Sequence, residues 1–105
     1  MRVLFDQGAP KPLRQFLTGH EVRTAYEQKW NELSNGDLLN AAERAGFDAL
    51  ISTDQNLQYQ QNLATRVIAI IVLPTTRWPE IREHTQQIAD AVDAARPGSY
   101  KLLSW

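Results

Sequence analysis

Residues 34–54, SNGDLLNAAERAGFDALISTD, decide the predicted fold because they place a helix directly before a buried strand. Ser34 and Asp37 form a capping box at the start of the helix, and Gly46 supplies its stop signal. Residues 49–54, ALISTD, begin with a short apolar run of the kind that forms a buried parallel strand. A helix followed at once by such a strand is the repeating unit of an α/β fold.

Further strands are predicted on both sides of this unit. Residues 3–5 are an apolar run that ends at Asp6, and residues 67–73 are apolar throughout and rich in β-branched side chains. The second run is typical of a central strand that is covered on both faces. Residues 20–26 and 99–105 show weaker patterns, which indicate edge strands.

Helical segments separate these strands. A helix is predicted near Pro12 with Leu13, Phe16 and Leu17 on one apolar face, and Gly19 ends it. Residues 55–64 suggest a short, weakly anchored helix. A long amphipathic helix is predicted after the break at residues 74–79, with an apolar side formed by Ile81, Ile88, Val92 and Ala95.

The alternation of strands and helices predicts one α/β domain over residues 1–105, built as a three-layer sandwich. Its sheet should be mainly parallel, with four to five strands in the order of about 2-1-3-4-5 and helices on both faces. The order follows from the first and third strands, because Asp6 and Asp54 can share a site only if those strands are neighbours.

The composition restricts the class of protein. The chain has 105 residues, a net charge of −1 and no cysteine, which excludes disulfides, thiolate metal sites and cysteine nucleophiles. The charge argues against a strongly basic nucleic-acid binder, although it allows a local basic groove. The longest apolar run, residues 67–73, falls far short of the ~20 residues of a membrane span. We therefore expect a cytoplasmic protein without membrane association.

Asp6, Asp37 and Asp54 are the candidate metal ligands. Asp6 and Asp54 follow predicted strands, so both should lie at the carboxyl edge of the sheet, where α/β proteins bind ligands. Aspartate oxygens suit Mg²⁺ or Mn²⁺, and carboxylates clustered without a cation should raise the pKa of at least one of them. Each residue also has a structural interpretation: an Asp after a strand often makes a turn, and Asp37 suits the first turn of its own helix.

Four other side chains would support such a centre. Lys11 and Arg14 follow Asp6 closely and would contact phosphate oxygens if they face the same edge, although a solvated helix face also explains them. Thr53 and Asn56 flank Asp54, where they would orient a water molecule or a carboxylate. We therefore include all four as supporting or substrate-binding residues.

The order of these motifs resembles the small stand-alone PIN-like proteins, which are related to the toxin-type (VapC-like) PIN ribonucleases. The resemblance covers roughly residues 1–73 and rests on the opening run MRVLFD, on GDLLNAA from Gly36 and on LISTD ending at Asp54. It implies a PIN-like fold, metal-dependent hydrolysis of RNA, and Asp6, Asp37 and Asp54 as catalytic, Mg²⁺- or Mn²⁺-binding residues. It also implies that an antitoxin protein is a possible partner; a homodimer is a further possibility.

Two alternatives remain. Gln7, Gly8 and Asn56 stand where related proteins often carry further acidic or amide side chains, which would fit a non-catalytic PIN-like module that binds a protein or RNA. A phospho-acceptor receiver domain would instead use Asp54 as the acceptor and Lys101 on the last strand. Against the receiver, Asp6 has no adjacent acid, and no proline follows Lys101.

Overall fold

The five strands form one parallel sheet in the order β2-β1-β3-β4-β5, in a computed structural model that describes residues 1–105. Every pair of neighbouring strands is parallel, so the predicted α/β class and strand order are confirmed. The strands are β1 (Arg2–Phe5), β2 (Glu21–Thr24), β3 (Ala49–Ser52), β4 (Ala69–Val72) and β5 (Tyr100–Leu102).

Four α-helices and two 3₁₀ helices connect the strands. The α-helices are α1 (Asn35–Arg44), α2 (Leu57–Gln60), α3 (Trp78–Ile81) and α4 (Thr85–Ala94), and the 3₁₀ helices are Lys11–Phe16 and Arg82–His84. None of the helices combines the length and the apolar character that a membrane crossing requires.

Alternate residues of the strands enter two separate cores, one on each side of the sheet. In β1, Val3 and Phe5 face the side covered by α4 and the first 3₁₀ helix, whereas Leu4 faces the side covered by α1. The central strands β3 and β4 are buried at every position, as expected for strands covered on both faces. The result is the predicted three-layer sandwich.

Helix α1 begins and ends where the sequence predicts. The hydroxyl of Ser34 accepts a hydrogen bond from the backbone N–H of Asp37 at 3.3 Å, which caps the first turn. Gly46 follows the helix at φ +82°, a left-handed conformation that other residues adopt only with strain. These two signals fix the helix immediately before β3, the strand that ends beside the candidate site.

The predicted first helix is correct in place but wrong in type. The segment Lys11–Phe16 is a 3₁₀ helix, whose bonds include Leu13 N–H to Pro10 C=O at 3.1 Å. Short connecting segments commonly take this tighter form. Phe16, predicted to share the apolar face, is 43% exposed and lies with its ring centroid 5.9 Å from that of Trp78.

The predicted long C-terminal helix is also wrong as a single element. It is divided into α3 and α4 by the 3₁₀ segment Arg82–His84. At that segment the His84 ring stacks on Trp105, with centroids 4.3 Å apart. The side chains predicted to face the core largely do so, because Ile81, Ile88 and Val92 are fully buried.

Candidate functional site

Asp6 and Asp54 lie at the carboxyl edge of two neighbouring strands. Strands β1 and β3 pair in parallel with Phe5 opposite Ile51, and the backbone N–H of Asp6 continues this pairing by donating to Ile51 C=O at 3.0 Å. Asp54 follows the last residue of β3, Ser52, by two positions. The sheet therefore brings both predicted ligands to the edge where parallel sheets bind ligands.

The Asp6 side chain is half-buried, and both of its carboxylate oxygens accept hydrogen bonds. Its Oδ1 accepts hydrogen bonds from the backbone N–H groups of Gly8 at 3.0 Å and Ala9 at 3.2 Å, and its Oδ2 accepts one from the Ser52 hydroxyl. Burial raises the pKa of Asp6 above its ordinary value, while these hydrogen bonds oppose that rise. A raised pKa was predicted, but the cause is burial rather than repulsion by another carboxylate.

Ser52 connects the two strand ends, and the sequence analysis did not identify it. It is the one fully buried polar side chain of the protein. Its Oγ donates to the Asp6 carboxylate and accepts from the Asp54 backbone N–H at 3.0 Å. The signal that would have found it is a hydroxyl at the end of a strand whose other residues are apolar, since a buried hydroxyl needs a partner.

The Asp54 carboxylate contacts the start of helix α1. Its Oδ1 accepts from the backbone N–H of Asn56 at 2.9 Å, and its Oδ2 accepts from the side-chain amide of Asn35 at 2.8 Å. The Asn35 amide lies 3.4 Å from Gln60 Oε1 as well. Asn35 is a second residue that the sequence analysis missed, because it stood inside a capping sequence and its partner is 19 positions away.

Asp37 lies on the first turn of α1 and its side chain is exposed. Its backbone is capped by Ser34, but its carboxylate makes no hydrogen bond or ion pair, so the reciprocal half of the predicted capping box is missing. No three His, Cys, Asp or Glu side chains are arranged as a preformed metal site. The structure thus joins Asp6 and Asp54 through Ser52, and leaves the Asp37 carboxylate outside that network.

The donor set around Asp6 and Asp54 suits a hard cation that keeps part of its hydration shell. Mg²⁺ is commonly bound by one or two carboxylates, with waters and substrate phosphates completing the shell. Asp6 Oδ1 already accepts two hydrogen bonds, whereas Asp6 Oδ2 and both Asp54 oxygens accept one each. Those three oxygens each retain a lone pair for a cation.

Thr53 and Asn56 flank Asp54 in different ways. A methyl group added at Gly8 would lie 2.1 Å from Thr53 Oγ1, so the Thr53 hydroxyl occupies space that only a glycine leaves open. Asn56 contributes its backbone N–H to Asp54, while its side chain is exposed. The structure therefore places both predicted supporting residues beside the carboxylates, with Thr53 packed against the loop that follows Asp6.

A groove of about 410 Å³ is lined by Asp6 together with Lys11, Tyr26 and Glu27. Arg14 does not line this groove and reaches it only through its contact with Glu27. Arg14 donates from Nη2 to Glu27 Oε1 at 2.7 Å, so its charge is paired in the free protein. Lys11 makes no ion pair and remains exposed at this groove, within reach of a ligand that contacts Asp6.

Lys101, the cation of the receiver alternative, occupies the middle of β5 opposite Ile71. It lines a groove of about 270 Å³ together with Ala91 and Ala94 of α4. None of the residues that hydrogen-bond to Asp54 lines this groove. The strand order itself is one that receiver domains also have, so only the position of Lys101 bears on that alternative.

Comparison with known proteins adds no relative. No protein-family model, curated protein or solved structure matches the chain.

Proposed function

We propose that this chain is a cytoplasmic, PIN-like, metal-dependent endoribonuclease. The observation that carries the proposal is the pairing of Asp6 and Asp54 at the ends of adjacent parallel strands, joined through the Ser52 hydroxyl. Two carboxylates held at the ligand-binding edge of an α/β sheet match the one or two carboxylates by which proteins usually hold Mg²⁺.

Mg²⁺ or Mn²⁺ is the proposed cofactor. Asp6 and Asp54 would hold it, and Asp37 is an additional proposed ligand because its carboxylate is exposed and free of partners. A cation bound there neutralises charge on a scissile phosphate and orients a water molecule. Ser52 acts as a positioning residue, since it fixes the Asp6 carboxylate and the Asp54 backbone together.

The proposed reaction is hydrolysis of a phosphodiester. A water oxygen bonds to phosphorus while one P–O ester bond breaks, and the leaving oxygen takes up a proton. Lys11 and Arg14 would contact the phosphate oxygens from the groove beside Asp6, and Thr53 would help to position the water or a carboxylate. An antitoxin protein is a proposed partner by family resemblance, and a second copy of the chain is a further proposed partner.

A second candidate function is a non-catalytic PIN-like module that binds a protein or RNA. The observation that favours it is that both carboxylates already have partners within the protein. Every oxygen of the Asp6 and Asp54 carboxylates already accepts at least one intramolecular hydrogen bond. Such a network would also stabilise the loops of a binding module that holds no metal.

Cleavage of a labelled single-stranded RNA in Mn²⁺ and in chelator distinguishes the two candidates. The parent should cleave only with Mn²⁺, and Asp54→Asn should abolish the activity. Asp90→Asn is the matched control, because Asp90 is an exposed carboxylate on α4 whose contact is with Gln86 of the same helix. RNA binding without metal-dependent cleavage would support the non-catalytic module instead.

A further inference from the structure

The Glu27 carboxylate occupies a cationic pocket beside Asp6. Its Oε1 accepts from Arg14 Nη2 at 2.7 Å and from the Thr24 backbone N–H at 2.9 Å. The hydrogen bonds from Arg14 and Thr24 lower the Glu27 pKa to about 2, and the positive charges of Arg14 and Lys11 contribute further. Two cations and a backbone N–H around one anionic group form the kind of pocket that also binds a phosphate.

The turn that carries Glu27 does not account for all of these contacts. The backbone N–H of Glu27 donates to Thr24 Oγ1 at 3.1 Å, and Thr24 N–H returns a bond to the Glu27 carboxylate, which closes a reciprocal capped turn. That turn needs an acceptor at position 27 and no cation. Arg14 is additional to it, because its guanidinium donates to the Glu27 carboxylate from outside the turn.

A large aromatic side chain stands next to this pocket. Tyr26 is 75% exposed, although it lines the same groove as Asp6, Lys11 and Glu27. The groove volume of about 410 Å³ is within the range of small-ligand sites. An exposed aromatic ring beside a cationic groove is the arrangement by which proteins stack a base of a single strand while they hold its phosphate.

We propose that this groove is a nucleotide subsite in which Arg14 and Lys11 bind a phosphate of single-stranded RNA, Tyr26 stacks a base, and Glu27 occupies the phosphate position in the free protein. Binding of the strand then exchanges the Arg14–Glu27 ion pair for an Arg14–phosphate pair. The subsite rests on the proposed function, because it adjoins Asp6 and would place the neighbouring phosphodiester at the carboxylates.

The test is binding of a fluorescein-labelled, eight-nucleotide RNA, measured by fluorescence anisotropy in chelator so that no cleavage occurs. Glu27→Gln keeps the side-chain oxygen that accepts from Thr24 N–H but removes the competing charge, so it should bind at least about threefold more tightly, with a salt dependence steeper by roughly 0.7 in log–log slope. Glu32→Gln is the matched control, because Glu32 carries the same charge on the neighbouring surface without an ion pair.

The other variants separate the phosphate contact from the base contact. Arg14→Gln should weaken binding of the RNA, and Tyr26→Ala should weaken it at least about fivefold while Tyr26→Phe keeps the parent affinity. Inorganic phosphate should compete with the RNA, and its inhibition constant should be the same for the parent and for Tyr26→Ala. Tyr26 and Glu27 are both exposed, so their variants decide the outcome even if Arg14→Gln folds poorly.

Three results would overturn the subsite. The first is that Glu27→Gln and Glu32→Gln change the affinity equally, which would indicate a general charge effect. The second is that Tyr26→Ala leaves the affinity unchanged, and the third is that neither the parent nor Glu27→Gln binds the RNA. None of these results bears on metal-dependent cleavage, which has its own assay. Binding with the expected variant pattern but without cleavage would contradict the enzyme and retain the subsite.

Discussion

The hydroxyl of Ser52 donates a hydrogen bond to the Asp6 carboxylate across the boundary between β3 and the end of β1. The same oxygen accepts from the backbone N–H of Asp54 at 3.0 Å. One buried side chain therefore fixes the relative position of the two strand ends. Because Ser52 is fully buried, its hydroxyl makes both contacts out of reach of solvent.

Ser52→Ala should therefore destabilise the protein by about 1–3 kcal/mol, since it leaves a buried donor and a carboxylate oxygen without their partner. The free energy of unfolding from urea denaturation measures the effect. Ser104→Ala is the control, because Ser104 is exposed and its recorded contact, with Gln87, uses its backbone carbonyl. Equal stability of the parent and Ser52→Ala would show that Ser52 does not link the two strand ends.

The contact between Gly8 and Thr53 leads to a double-mutant prediction. A Cβ at Gly8 would lie 2.1 Å from Thr53 Oγ1 but 3.4 Å from Thr53 Cβ. Gly8→Ala should cost about 1–3 kcal/mol of stability in the parent, because the closely packed loop must shift. Most of that cost should disappear in a Thr53→Ala background, where the conflicting oxygen is gone.

Gly36→Ala is the control for this cycle. Its added Cβ would meet the end of the flexible Gln61 side chain at 3.0 Å, and alanine favours the α1 helix over glycine by about 1 kcal/mol. We expect little loss of stability there. If Gly8→Ala lowers the free energy of unfolding by the same amount in the parent and in Thr53→Ala, Thr53 does not pack against the Asp6 loop as described.

As the pH rises, the ionisation of Asp6 and that of Glu27 should change the free energy of unfolding in opposite directions. Burial raises the pKa of Asp6 above 3.8, so its contribution to folding is complete below that pH and is lost as the pH rises through the folded-state pKa. The Arg14 guanidinium lowers the pKa of Glu27 from 4.5 to about 2, so its contribution is present above pH 4.5 and is lost as the pH falls towards 2.

Asp6→Asn isolates the first of these effects. Urea unfolding in chelator should show the variant gaining stability relative to the parent as the pH rises above 3.8, because only the parent must ionise a carboxyl whose pKa the fold raises. Glu27 is present in both proteins, so its titration cancels in the difference. A difference in unfolding free energy that does not change with pH would contradict the buried, raised-pKa state of Asp6.

The strand order was predictable because short apolar runs place the strands and the two aspartates require β1 and β3 to be neighbours. The division of the C-terminal helix was not predictable from the apolar spacing. At the break His84 stacks on Trp105, a contact that joins distant parts of the chain. Local propensity carries no information about such a contact. The 3₁₀ form of Lys11–Phe16 is likewise decided by a short connection rather than by the apolar spacing.

The candidate site was predictable in its charged residues and not in its neutral ones. Asp6 and Asp54 are visible as acids that end apolar runs. Ser52 and Asn35 contact those acids across 46 and 19 positions of sequence, so a linear pattern gives each of them a local role instead. The pairing of Arg14 with Glu27 was missed for the same reason, because it forms only after the chain has folded.

Asp37→Asn tests whether Asp37 belongs to the metal site or only to its helix. If Asp37 is a ligand, the substitution should weaken stabilisation by Mn²⁺ and leave the stability of the metal-free protein nearly unchanged. If Asp37 interacts only with the helix dipole, the substitution should lower the stability by about 0.3–1 kcal/mol both with and without Mn²⁺. Thermal melts of the variant and the parent in both conditions distinguish the two, and an equal loss in both conditions would remove Asp37 from the ligand set.

The central claim is that Asp6 and Asp54 bind a divalent cation, and the most direct measurement is the melting temperature in chelator and in millimolar Mn²⁺. A cation that binds only the folded state, at a concentration of about 100 times its Kd, adds about 2.7 kcal/mol to the free energy of unfolding. In a domain of this size, each kcal/mol raises the melting temperature by at least about 4 °C. We predict such a rise for the parent and for Asp90→Asn, and none for Asp54→Asn. A parent whose melting temperature is the same in chelator and in Mn²⁺ would contradict the claim and favour the non-catalytic module.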